Sequence, residues 1–295
     1  MVEMDVIKGH GTGNDFVIVP DPGVDLDLGT ERIRALSDRH RGVGGDGVIR
    51  IATAGALVDA GVLDALPEGV EGDHWFMDYY NADGSIAEMC GNGVRVFSHA
   101  LRALGFTDAA EIPVGTRAGR RDVVVHSADA IDAEVSVGMG VPRTFGTSEA
   151  RQDDVSYAGL AVDMGNPHLA CVVPGLDPDG LAALNVELAP TWDAGVFPDG
   201  VNLELVTALD DGTVHMRVHE RGVGETLSCG TGTVAAAVAA VAAEQGETGE
   251  DAGTQTDRTV RVVIPGGEVE VTLNADGPAV LRGPSRLVFS TRVTV

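Results

Sequence analysis

The sequence predicts an α/β (α+β) protein of two pseudo-symmetric domains, each a β-rich curved sheet or barrel around one central helix. Three observations carry this reading. The length, 295 residues, corresponds to about two domains of ~150 residues. The chain also repeats loosely at half its length: Gly13-Asn14 reappears as Gly165-Asn166, Asp46-Gly47-Val48 as Asp199-Gly200-Val201, and Cys90-Gly91-Asn92-Gly93 as Cys229-Gly230-Thr231-Gly232, in the same order. Finally, each Cys-Gly-x-Gly string opens a helical pattern, with strand patterns between them. Chance matching of short glycine-containing strings is the competing account of the repeat.

In chain order, each Gly-Asn pair reads as a turn feeding an apolar strand, VIV after Phe16 and LACVV after His168. Residues 52 to 74 are rich in glycine and acid and read as a surface insertion. After Cys90, the residues Val94, Phe97, Leu101 and Leu104 follow helical spacing, with Gly105 where a C-terminal cap belongs. The runs 123–127, 133–139, 201–209, 214–220, 260–265 and 268–273 alternate or are rich in β-branched residues and read as strands. The segment TVAAAVAAVAA after Cys229 is apolar on every side, which places it inside a domain. Residues 244 to 258 read as a second acidic surface insertion. The expected division is 1–128, completed by 285–295, against 129–284, so that Cys90 lies in one domain and Cys229 in the other.

Composition narrows the function. There are 45 acidic and 20 basic residues, for a net charge of -25, and Lys8 is the only lysine. Such a balance disfavours nucleic acid and anionic membranes, which need local positive potential. It suggests a halophilic protein, since at 1 M salt the Debye length of ~3 Å removes most self-repulsion. Three sparse cysteines, Cys90, Cys171 and Cys229, make no disulfide framework. The N-terminal residues lack a signal-peptide pattern, so a cytoplasmic placement is expected. Val234 to Ala243 is about half of the ~20 apolar residues that cross a bilayer.

A thiol at a helix start meets the positive end of the macrodipole and unpaired N–H groups, both of which favour thiolate. Glycines beside Cys90 and Cys229 allow an anionic ligand to approach those donors. Two such sites in matching halves suit inversion of a carbon that bears a weakly acidic hydrogen, with a base on one face and an acid on the other. No dinucleotide motif, phosphate loop or metal-ligand spacing occurs, so neither cofactor nor metal is expected, and a single lysine argues against a pyridoxal Schiff base. Two buried structural cysteines are the plainer alternative, and Cys171, in LACVV without glycines, reads that way. Taken singly, Asn14 and Asn166 read more readily as turn residues, and His168 as a core histidine, than as ligands.

The strings GTGNDFVIV, RHRGVGGDG, YYNADGSIAEMCGNGVR, MGNPHLACV, DGVNLELV and HERGVGETLSCGTGT, in that order over about residues 8 to 243, closely resemble the diaminopimelate epimerase family. The resemblance implies cofactor-independent interconversion of LL- and meso-diaminopimelate in lysine biosynthesis, with Cys90 and Cys229 as the acid/base pair across a shared cleft. It implies that His168 and Glu220 lie near the thiols and tune them. It further implies that Asn14, Asn81, Gly91, Asn92, Asn166, Asn202, Glu220, Arg221, Gly230 and Thr231 bind substrate. One departure stands out: Gly47 occupies a position where many members carry a glutamine contact, and it is left out of the binding set. The expected partner is the small-molecule substrate, with a homodimer the only assembly anticipated. The rival readings are an isomerase of a proline-like substrate and a thiol redox protein.

Overall fold

The computed structural model describes residues 2–295. By contact, the chain folds into two compact units, one formed by residues up to Val137 with Gly283–Val295, the other by Gly138–Arg282.

In the first unit the strands are β1 (Glu3–Gly11), β2 (Asn14–Pro20), β3 (Gly47–Thr53), β4 (Trp75–Asn81), β5 (Glu111–Thr116), β6 (Gly119–Ala128) and β7 (Asp132–Gly140). Its helices are α1 (Thr30–Ser37), α2 (Ala54–Asp59) and α3 (Gly91–Ala103). The second unit holds β8 (Arg143–Gln152), β9 (Val155–Asp163), β10 (Pro167–Val172), β11 (Thr191–Trp192), β12 (Asn202–Val206), β13 (Thr213–Glu220), β14 (Gly224–Thr226), β15 (Arg258–Ile264) and β16 (Gly267–Leu273), with helices α4 (Pro178–Ala183) and α5 (Gly230–Gln245). The long β17 (Ala279–Thr294) serves both units. Because β7 hydrogen-bonds along β6 as far as Val137, the first unit extends past residue 128, the boundary expected from sequence.

The first unit closes into a barrel. Its strands pair in the order β1, β2, β3, β4, β5, β6, β7, β17 and back to β1. The β2–β3 and β4–β5 pairs are parallel, and β1–β2, β3–β4, β5–β6 and β6–β7 are antiparallel. The second unit runs β9, β10, β12, β13, β15, β16, β17, with β10–β12 and β13–β15 parallel and the other pairs antiparallel. The sequence of pairings is thus the same in both, and the loose string repeat reports a real duplication. The sequence strands are all found, with 201–209 shortened to β12.

Each sheet wraps one helix. Packed against β1 to β6, α3 is buried from Gly91 to Leu101, and even Arg95, Ser98 and His99 lie inside. Leu104, expected on the apolar face, is 39% exposed because the helix caps there, and Gly105 follows at φ 70°. Helix α5 is buried from Gly230 to Ala242 except Thr231. Its alanines let the strands approach, and Gly246 ends it in the left-handed conformation.

The segment 52–74 corrects the expectation of a solvated insertion. It contains α2, capped by the Thr53 hydroxyl, and its Ala54, Leu57, Leu63 and Val70 pack on Phe76 in a satellite core. The apolar residues of ALVDAGVLDAL drive this: burying a leucine or valine is worth ~1.5–3 kcal/mol. Among the described residues no helix is long and apolar enough to cross a membrane.

Candidate active site

In the first unit, Cys90 is the N-cap of α3, with extended backbone and its Sγ accepting the Gly93 N–H at 3.4 Å. The helix-start glycine Gly93 is tight: a Cβ there would meet Ile49 Cδ1 at 3.3 Å and Cys90 Cβ at 3.4 Å. Asn14 reaches the thiol from the turn Thr12-Gly13, whose residues sit at φ 50° and 82°. The Cys90 thiol donates to Asn14 Oδ1 at 3.6 Å, and Asn92 Nδ2 donates to the same oxygen at 3.3 Å. The orientation of the Asn14 amide is fixed because its Nδ2 donates to Asp46 at 2.7 Å.

Asp46 is itself held by Arg39 and by the Asp15 N–H. Burial pushes the Asp46 carboxyl up. Burial also acts on Asp15, but Arg39 and Lys8 outweigh it and hold that carboxyl well below the usual range. Behind the thiol lies Arg95, fully buried, donating to Thr12 Oγ1 at 3.0 Å and to the Pro284 carbonyl at 3.2 Å. Burial lowers its pKa to about 10, while the acidic groups of Cys90 and Glu134 favour its charged form. Asn81, at the end of β4, donates to Ser85 Oγ at 3.0 Å within the loop that leads to Cys90.

In the second unit, Cys229 is the N-cap of α5, and its Sγ accepts the Gly232 N–H at 3.4 Å. The Thr231 hydroxyl lies 3.6 Å from that sulfur. Asn166, placed by Gly165 at φ 87°, donates from Nδ2 to Thr231 Oγ1 at 3.4 Å. His168, on β10 and fully buried, has Nε2 at 3.1 Å from Asn166 Oδ1 and Nδ1 at 2.6 Å from Glu204 Oε1. Burial first, then the carboxylates of Glu220 and Glu204, push the Cys229 thiol well above its usual range. The Glu220 carboxylate accepts the Thr226 hydroxyl.

Asn202 joins two backbone segments, donating to the Pro167 carbonyl and accepting the Arg221 N–H, both at 2.9 Å. Its amide is therefore occupied as a strut beside His168. Arg221 donates to the Asp199 carbonyl at 2.9 Å, and its side chain is otherwise exposed. Gly91 and Gly230 are the first residues of their helices, so their N–H groups belong to the unpaired set at each start.

Asn14, Asn92 and Cys90 thus meet in one unit, and Asn166, His168, Thr231 and Cys229 in the other, with Glu220 close enough to bias the second thiol. Cys171, by contrast, is sealed in β10, where burial pushes its thiol up. At Gly47 a Cβ would come within 2.5 Å of the Tyr79 ring and the Tyr80 carbonyl, so no longer side chain fits there. Three groups escaped the sequence reading, Asp46, Arg95 and Glu204. The signal for Glu204 was present: alternation along VNLELV puts Glu204 on the face of Asn202, and the β10–β12 register sets Asn202 opposite His168.

A cavity of about 680 Å³ in the second unit runs past Arg143, Asp163, Asn166 and Asn274 under Glu250 and Asp251, and Cys229 does not line it. Glu71, Asp73 and His74 come together before β4, but His74 Nδ1 already accepts the Glu71 N–H.

The diaminopimelate epimerase family model matches residues 6–145 and 160–288. The chain is 57% identical over 287 residues to the diaminopimelate epimerase of Rhodococcus opacus (strain B4), covering 97% of this chain and 96% of that one. It is 56% identical over 281 residues to that of Mycobacterium tuberculosis (strain ATCC 25177 / H37Ra), covering 95% and 94%. Among solved structures, a PhzF-family phenazine biosynthesis protein of Bacillus anthracis matches over 100% of both chains with TM-score 0.64 at 14% identity. A hydroxyproline epimerase of Agrobacterium vitis matches with TM-score 0.61 at 17% identity, over 99% of this chain and 92% of that one. These last two share the fold; the sequence relatives and the family model settle membership, and the chain belongs to the diaminopimelate epimerase family.

Proposed function

We propose that this protein interconverts LL- and meso-diaminopimelate, a step of lysine biosynthesis, with Cys90 and Cys229 as the acid/base pair. The observation that carries the reading is the duplicated device: a cysteine N-cap whose sulfur accepts the N–H three residues on, once in each unit.

In one direction a thiolate removes the α-hydrogen, the electron pair stays on carbon and spreads into the carboxylate, and the opposite thiol delivers its proton to the other face. The two sulfurs end with exchanged protonation states, so the reverse reaction uses the same groups. The N–H groups of Gly91 and Gly230, which begin α3 and α5, suit the charge that grows on the carboxylate. His168 and Glu220 are read as tuning residues. For binding, the reading assigns Asn14, Asn81, Gly91, Asn92, Asn166, Asn202, Glu220, Arg221, Gly230 and Thr231, with the exposed Arg221 guanidinium suited to a distal carboxylate.

The test is hydrogen exchange in deuterium oxide. LL-diaminopimelate should take up one deuterium at the inverted carbon, while proline takes up none. Cys90→Ala and Cys229→Ala should each lower turnover by about 10³-fold, the scale of a lost general acid or base. Full epimerisation by either variant overturns the assignment, and exchange of proline in place of diaminopimelate overturns the substrate.

A further inference from the structure

Glu204 has no part in the scheme above, yet it is fully buried on β12, one oxygen against His168 Nδ1 and the other, Oε2, without a hydrogen-bond partner. A bare carboxylate in such a place would cost several kcal/mol, so the pair His168–Glu204 shares a proton. That proton sits either on the glutamic acid or on the imidazole.

Both placements leave the same hydrogen at the far end. Nε2 of His168 faces Asn166 Oδ1, which only accepts, so Nε2 carries a hydrogen wherever the shared proton lies. Asn166 is thereby oriented with Nδ2 toward Thr231, donating to Oγ1. With that lone pair engaged, the hydroxyl hydrogen of Thr231 is free to turn to Cys229 Sγ at 3.6 Å. The chain of contacts therefore has one direction, from an acid sealed in the sheet to the thiol at the helix start.

We propose that Glu204 is a positioning residue for Cys229: through His168 and Asn166 it fixes the Thr231 hydroxyl as a donor to Sγ and so stabilises the Cys229 thiolate when it forms. Packing keeps the carboxylate where it is, since the Cβ of any residue replacing Gly232 would meet Glu204 Oε1 at 2.8 Å. Acting against the Thr231 hydrogen bond through space are the charge of Glu204 itself and that of Glu220 from β13, both of which disfavour the Cys229 thiolate, while Cys171 from β10 faces Glu204. The donor chain opposes these influences and the burial of the sulfur. The proposal rests on Cys229 taking part in proton transfer, but its test reads the thiol and not turnover.

The reduced full chain is alkylated with iodoacetamide between pH 6.5 and 10, and the rate at Cys229 is followed by peptide mass spectrometry with Cys90 as reference in the same sample. Glu204→Leu and Glu204→Gln both remove the acid's own charge but only the first cuts the chain, so the Cys229 ionisation midpoint in Glu204→Leu should lie roughly 0.5–1 unit above that in Glu204→Gln, the scale of one hydrogen bond to a charged group. Glu204→Gln, whose amide still donates to Nδ1, keeps the chain and loses only the charge, so its midpoint should fall below the parent's. Thr231→Val should raise the midpoint in the parent and in Glu204→Gln but add nothing to Glu204→Leu, because both cut one chain. Asn166→Ala interrupts the chain at a half-buried turn and should also raise the midpoint, which keeps the test open should Glu204→Leu not fold. Equal midpoints in Glu204→Leu and Glu204→Gln, a midpoint that falls or stays in Asn166→Ala, or a further rise when Thr231→Val is added to Glu204→Leu, overturns the proposal. Loss of the acid/base reading would show separately, as epimerisation surviving in Cys229→Ala.

Discussion

The starts of α3 and α5 are the same backbone device with different side chains around the sulfur. Cys90 and Cys229 both cap their helices and both accept an N–H at 3.4 Å from the glycine three residues on. Around Cys90 stand the buried cation of Arg95 and the carbonyl oxygen of Asn14. Around Cys229 stand two acids, Glu204 and Glu220, and a hydroxyl. Duplication kept what the chain path requires and let the side chains diverge. If the two thiols exchange roles as proposed, they do so from unlike surroundings, and substitutions should act unequally on them.

The largest difference is expected at the helix glycines. A methyl at Gly232 would meet Glu204 Oε1 at 2.8 Å and Cys229 Sγ at 3.3 Å, pressing on both ends of the donor chain. At Gly93 the nearest approach is Ile49 Cδ1 at 3.3 Å, a side-chain end that can shift by tenths of an ångström. Gly232→Ala should lower kcat by about 100-fold and Gly93→Ala by about tenfold or less, since small misplacements of reacting groups cost factors of this size. Equal losses in steady-state assays would mean that the crowding around the two sulfurs is equivalent after all.

Smaller, and sharper on the thiols themselves, is the order of alkylation. With Cys90 half-buried and Cys229 only 7% exposed and held protonated by burial and acids, iodoacetamide at pH 7.5 should modify Cys90 first. Cys229 should follow at least about tenfold more slowly, one unit of thiol pKa being worth that much thiolate. Cys171, 0% exposed, should react only on unfolding. Equal labelling of Cys90 and Cys229 would remove the asymmetry.

What could be read beforehand follows the same division. The two helices and their cysteine caps were legible because Cys-Gly-x-Gly ahead of a helical pattern is a local signal, and local signals survive burial. The six strand runs were legible for the same reason. The segment 52–74 was misjudged because its glycines and acids hide the spacing of Ala54, Leu57, Leu63 and Val70, whose common target, Phe76, is distant in the pattern. Arg95 escaped for a different cause, and the alternation that sets Glu204 beside Asn202 could not by itself say that this face points inward. Whether a charged residue in a helix or strand faces inward depends on register against partners such as β10, and register is non-local. The identical order of parallel and antiparallel pairs in the two units lies beyond any string match, since it is set by closure of each sheet around its helix.

The smallest expected effect concerns stability, and it tests whether burial alone distinguishes Cys229 from an ordinary core thiol. Cys171 and Cys229 both hold their protons more tightly in the folded chain than at the usual thiol value of 9.0. Below that value folded and unfolded chains bind the same thiol protons, and stability does not change with pH on their account. As pH rises through it, the unfolded chain releases protons that the folded chain keeps, so stability falls, approaching about 1.4 kcal/mol per pH unit for each thiol. Urea midpoints between pH 8 and 10 should therefore decline, and Cys171→Ala should remove one thiol's share of the slope while shifting the whole curve down by roughly 1 kcal/mol for the lost sulfur. The slope that remains belongs in part to Cys229. Were Cys171→Ala to keep the full slope, ionisation of buried sulfur would not be its source, and the contrast between the two helix starts would rest on Glu204 and Glu220 instead.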